Sequence, residues 1–121
     1  MKALSEQVIL ITGSTDGLGK KVAMALARHD ATILLHGRNP EKGEAVLKEI
    51  SGDTGNEKLS YYNADFSSLE EMQRLAEEIM AKNSRLDMLI NNAGITRDTL
   101  LMRMKEEDWD SVIDTNLKGA W

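Results

Sequence analysis

Three glycines stand where an apolar run gives way to a helical pattern, in Ile11-Thr12-Gly13-Ser14-Thr15-Asp16-Gly17-Leu18-Gly19. The chemistry that asks for such spacing is the binding of a pyrophosphate. That group needs a tight turn, close backbone approach and the positive end of a helix aimed at its charge. Gly13 suits the turn, Gly17 the close approach and Gly19 tight packing of helix on strand, with Leu18 between the last two at the opening of the helix. Ser14 and Thr15 add hydroxyl donors. A glycine triplet by itself is weak, and a ligand-free glycine-rich connection is the plain alternative. The strand pattern before it and the helix pattern after it favour the phosphate. It is not a Walker loop, because Lys20 and Lys21 follow the glycines without Gly-Lys-Ser/Thr. Other constellations offer less. His29 and His36 have no acid or thiol cluster beside them and read as surface or strand-end histidines, so no metal site is expected. Glu77-Glu78 and Glu106-Glu107-Asp108 read as solvated helical acids.

The elements that must position the glycines follow from periodicity. Val8-Ile9-Leu10-Ile11 and Thr32-Ile33-Leu34-Leu35 are apolar on both faces, as central parallel strands require. Leu59-Ser60-Tyr61-Tyr62 is a weaker third strand and Leu86-Asp87-Met88-Leu89-Ile90 a fourth. Between them lie helical stripes: Leu18, Val22, Ala25 and Leu26; then Val46, Leu47 and Ile50; then Leu69, Met72, Ala76, Ile79 and Met80. Asn39-Pro40 reads as an N-cap and first helical residue, and Ser67 with Glu70 or Ser68 with Glu71 as a capping box. Ser51-Gly52-Asp53-Thr54-Gly55-Asn56 reads as a turn-rich break. Strand starts recur every 24, 27 and 27 residues, one βα unit each, which implies an α/β fold with a parallel sheet and right-handed crossovers. Trp109, Val112, Ile113, Leu117 and Ala120 add a last helical stripe.

Thr12-Gly13-x-x-x-Gly17-x-Gly19, followed by Asn91-Asn92-Ala93-Gly94 after the fourth strand and by Asn116 within Asp114-Thr115-Asn116-Leu117, resembles the short-chain dehydrogenase/reductases. Residues 95–119 look in particular like the beta-ketoacyl carrier-protein reductases, whereas the preceding residues look like generic members, as if joined near Gly94–Ile95. The resemblance implies half of a doubly wound Rossmann fold, strand order 3-2-1-4, with helices on both faces. It also implies that Asp65, with the backbone at Phe66, holds the adenine, and that Asn92, Ala93 and Gly94 line the ribose–nicotinamide side. The end of the second strand, Leu35-His36-Gly37-Arg38-Asn39, has no acid to read an adenosine 2′-hydroxyl, and Arg38 suits a 2′-phosphate. NADP is therefore expected over NAD, although Asp16 stands where NADP-using relatives often place a cation. A solvated loop cation is the bland reading of Arg38.

The family works with a tyrosine acid/base, a lysine four residues later and a serine that orients the carbonyl. Hydride transfer to a ketone needs a proton donor, and a neutral tyrosine needs a nearby cation to cycle. The only tyrosines are Tyr61 and Tyr62, and four residues on stand Asp65 and Phe66, so there is no Tyr-x-x-x-Lys. Asn116 is the one member of the catalytic group present, and the resemblance gives it the task of supporting that lysine through water. The expectation is an NAD(P)-binding N-terminal half that does not transfer hydride alone. The alternatives are a homodimeric or engineered scaffold with little cofactor affinity, or a fragment needing complementation.

Length and composition bound these readings. The 121 residues are read as a single truncated dinucleotide-binding domain, 1–121, with enough chain to bury a core. A net charge of -5 and 4% aromatics speak against a nucleic-acid surface. Without cysteine there is neither disulfide nor thiolate metal site, which fits a reducing compartment. No apolar run approaches a membrane span, so a cytoplasmic protein is expected. An apolar fourth strand left at the sheet edge predicts a homodimer, through that strand or through the C-terminal helix.

Overall fold

The computed structural model describes residues 2–92, Met104 and 113–116, the last as backbone. A short 3-10 turn, Leu4–Glu6, leads into a five-stranded parallel sheet formed by β1 (Val8–Thr12), β2 (Thr32–Gly37), β3 (Leu59–Asn63), β4 (Met88–Asn91) and β5 (Ile113–Asn116). Its order is β3-β2-β1-β4-β5, which contains the expected 3-2-1-4. The central strands are buried on both faces because each face is covered. Ile9, Ile11, Ile33, Leu35 and Ile90 meet Ala23, Ala27, Val46 and Ile50 from α1 (Gly17–Ala27) and α2 (Pro40–Thr54). On the other face Leu10, Leu34 and Leu89 meet Met72, Leu75, Ala76 and Ile79 from α3 (Leu69–Lys82), and Met104 is buried in the same cluster. The weak pattern of the third strand has a simple origin. β3 is an edge strand, with Ser60 exposed and Tyr62 buried.

Local signals place the helix starts. The Asn39 side chain caps α2 by accepting from Glu41 N and Lys42 N at 3.0 and 3.1 Å, and Pro40 is its first residue. Of the two boxes open at the start of α3, Ser68 is the cap, accepting from Glu71 N at 3.3 Å. The Glu71 carboxylate does not return to Ser68; its Oε1 accepts from Asp65 N at 2.9 Å.

Three expectations are corrected. The Ser51–Asn56 break is not one: α2 continues to Thr54, and Gly55 ends it at φ 74° with its N–H on Ser51 O. Thr54 Oγ1 donates to Ile50 O at 2.7 Å, and Gly52 and Asp53 face solvent, so turn-forming residues ride on the exposed side of a helix anchored by Ile50. In α1 the fully buried positions are Gly19, Ala23 and Ala27, while Ala25 is exposed and Val22 and Leu26 are only partly covered. Small residues let the helix backbone lie close on the sheet, and larger ones flank the contact.

The fourth strand, finally, is not an edge. Ile113 belongs to a strand rather than to a helical stripe, and β5 pairs parallel with β4 from Met88↔Ile113 to Asn91↔Asn116. That ladder satisfies the outer backbone groups of β4, so the homodimer expected through that strand has no free edge there. Trp109, Val112, Leu117 and Ala120, the rest of the C-terminal stripe, lie outside the described residues.

Candidate functional site

The glycine segment turns sharply between β1 and α1, with Gly13 at φ 60° and Gly17 at φ 58°. Both values lie in the left-handed region that a Cβ disfavours. Gly17 has open space around its missing side chain, whereas Gly19 has none. A Cβ on Gly19 would lie 2.3 Å from Gly13 O and 2.7 Å from Asn92 Nδ2. Asn92 Nδ2 donates to Gly13 O at 2.9 Å, and Asn92 N donates to Thr12 Oγ1, also at 2.9 Å. Three elements thus converge on the Gly19 backbone: the glycine turn, the first turn of α1 and the end of β4. Asp16 is the N-cap residue of α1, yet its side chain caps none of the first N–H groups.

Above the C-terminal ends of β1, β2 and β3 lies a cavity of about 550 Å³. Among the expected residues, Gly13, Thr15, Arg38, Asp65, Phe66 and Asn92 line it. Ser14 does not: it is fully buried, and its Oγ accepts from His36 N at 2.9 Å while its N–H donates to His36 O. The Ser14 hydroxyl is thus engaged with the β2 backbone. Gly17, Leu18 and Gly19 form the first turn of α1 and are not among the residues lining this cavity. Asp65 Oδ1 accepts from Ser67 N at 2.9 Å, and hydrogen bonds from the Ser67 backbone and side chain, helped by the Arg38 charge, hold its carboxyl below the ordinary value. The Arg38 guanidinium is exposed and forms no ion pair with a described residue. Ala93 and Gly94 lie outside the described residues, and Asn116 is placed only by its backbone, opposite Asn91.

His36 stands at a strand end, as one of the two sequence readings had it, but its buried role was missed. It forms the floor of the cavity. Its Nδ1 accepts from Gly13 N at 2.9 Å, which leaves Nε2 to donate to Ala64 O, also at 2.9 Å. Its ring stacks on Phe66 with centroids 4.2 Å apart. Burial lowers its pKa to about 4; the Ala64 bond opposes that shift and the nearby Arg38 charge adds to it. No local pattern marks this role, because its partners come from β1 and the segment after β3.

A family model described as short chain dehydrogenase matches residues 7–121. The chain belongs to the short-chain dehydrogenase family. Among curated proteins, a 3-oxoacyl-(acyl-carrier-protein) reductase of Thermotoga maritima is 41% identical over 118 residues, covering 98% of this chain and 47% of that protein. One from Synechocystis sp. is 43% identical over 122 residues, covering 100% of this chain and 49% of that protein. This member of the family therefore spans about half the length of these relatives, and the likeness to such reductases extends to both sides of Gly94–Ile95 rather than only over 95–119. Among solved structures, a short chain dehydrogenase from Escherichia coli CFT073 complexed with NADPH superposes with a TM-score of 0.74 at 27% identity, covering 93% of this chain and 59% of that one. Another from Shigella flexneri complexed with NADP gives 0.69 at 32% identity, over 84% and 47%.

Proposed function

We propose that this short-chain dehydrogenase chain is one dinucleotide-binding unit, that it takes NADP in preference to NAD, and that it does not transfer hydride by itself. The observation that carries the reading is the cavity at the strand ends, which gathers Gly13, Thr15, Arg38, Asp65, Phe66 and Asn92 beside an α1 terminus without a side-chain cap. The donor set fits the cofactor. Gly17 leaves room for a pyrophosphate to approach the backbone, and the N–H groups of the first turn offer it hydrogen bonds. Arg38 supplies a forked cation at the end of β2, a segment that carries no acid of its own. Relatives solved with NADP and NADPH support the same choice. A bound dinucleotide would supply the hydride. The proton would have to come from a tyrosine–lysine pair that this sequence does not contain.

Calorimetric titration with NADPH, and with NADH under the same conditions, tests the reading. Affinity in the micromolar to millimolar range, about 4 to 8 kcal/mol, is expected, with NADPH the tighter ligand. Gly17→Val should weaken NADPH binding, because a side chain there enters the open space through which the phosphate approaches; its φ of 58° makes valine costly, so a thermal melt must show the variant folded before its affinity is read. Unchanged affinity in that variant refutes the site. Reduction of a ketone by the isolated chain refutes the claim about hydride transfer.

A further inference from the structure

An ion pair crosses the mouth of the cavity. Asp16 caps nothing in its own helix; its carboxylate receives Lys42 Nζ from the first turn of α2. Both residues line the cavity together with Arg38. Lys42 is firmly mounted, since its N–H is held by the Asn39 cap and the Asn39 carbonyl lies 3.1 Å from the Tyr61 hydroxyl. The pair itself is open to water, with side-chain exposures of 46% for Lys42 and 71% for Asp16. Ion pairs that exposed contribute at most about 1 kcal/mol, so a stronger anion can take the ammonium.

We propose that Lys42 is a second reader of an adenosine 2′-phosphate, held by Asp16 until that phosphate arrives, and that Asp16 limits how strongly the phosphorylated cofactor is preferred. The inference rests on the dinucleotide reading above and deepens it. Among the described residues the formal charges lining the cavity cancel, Asp16 and Asp65 against Arg38 and Lys42. A phosphate dianion entering beside Arg38 meets one cation without an ion-pair partner among the described residues and one engaged with a carboxylate. An ammonium on a flexible stem has no fixed fork to align, so it moves from carboxylate to phosphate without demanding a new geometry. A 2′-hydroxyl gives it no reason to leave. The pair therefore discriminates by ligand charge, and Asp16 opposes the phosphate twice: it competes for Lys42 and it repels the dianion.

The test is a double-mutant cycle on the whole chain, wild type with D16N, K42M and D16N/K42M, each titrated with NADPH and NADH. D16N should tighten NADPH by about three- to tenfold, and K42M should weaken it by a similar factor, with NADH nearly unmoved in both. In the D16N background K42M should still weaken NADPH, because Lys42 touches the phosphate rather than merely neutralising Asp16. Loss of the Lys42 effect once Asp16 is gone, or equal changes for the two cofactors, overturns this inference and leaves the dinucleotide reading standing. A folded wild type that binds neither cofactor overturns both.

Discussion

At the scale of single residues, His36 joins the parts of the site through one ring. It accepts the Gly13 N–H, donates to Ala64 O and stacks on Phe66, so the glycine turn, the segment after β3 and the cavity floor share one neutral imidazole. Protonation would place a hydrogen on Nδ1 against the Gly13 N–H. The folded pKa of about 4 lies below the free value of 6.5, so the neutral form is the one folding favours. Its contribution is complete above about 6.5 and is lost as pH falls toward 4, a span worth on the order of 3 kcal/mol. Denaturant titrations across that window should show the loss, and His36→Gln should flatten it. A wild-type curve flat between those pH values contradicts this role. Asp87 acts in the same direction at lower pH. Burial pushes its carboxyl up, but hydrogen bonds from Val8 N, Arg85 and Lys2 more than offset that and hold it below the ordinary value.

At the scale of elements, the joins between helices and strands depend on polar side chains that bridge distant backbone. Asn56 is buried just after α2, where its Nδ2 donates to Ala27 O at 3.1 Å and Ala31 O at 2.8 Å and its Oδ1 accepts from Lys58 N at 2.7 Å. One side chain thereby ties the end of α1 and the approach to β2 to the approach to β3. Asn56→Ala would take this donor from Ala31 O and leave Ala27 O with Asp30 N, and a loss of about 1 to 3 kcal/mol in denaturant unfolding is expected. A change under about 0.5 kcal/mol would assign the bridge no weight. Helix starts were legible in the sequence because a cap such as Asn39 or Ser68 acts on N–H groups two or three residues away. The end of α2 was not, because the turn formers Ser51–Thr54 were outweighed by the anchoring of Ile50 in the core.

At the scale of the whole molecule, strand order places the site. The chain runs outward from β1 through β2 to β3 and then returns to the other side of β1 as β4, which opens a crevice at the strand ends where that reversal occurs. Asn92, just past β4, closes one side of it by its bond to Gly13 O. A ligand seated there touches residues from several elements that come together only in the folded chain. NADPH at a hundred times its Kd should therefore add about 2.7 kcal/mol to the unfolding free energy, and NADH at the same concentration should add less. Thermal or denaturant melts measure it directly. An unmoved transition at saturating NADPH contradicts binding at this crevice.

The strand order 3-2-1-4 came with the family resemblance, whereas the sequence by itself determined the βα alternation, the parallel sheet, the glycine turn and the caps of α2 and α3. These rest on periodicity and on contacts between near neighbours. Tertiary structure decided what those patterns leave open. It turned Ser14 inward to the His36 backbone, made His36 the cavity floor, laid α1 on the sheet through Gly19, Ala23 and Ala27, and covered β4 with β5. Each of these depends on which distant segment arrives opposite a residue. Such a partner must satisfy a buried hydrogen bond or fill a buried space, and no local pattern records it.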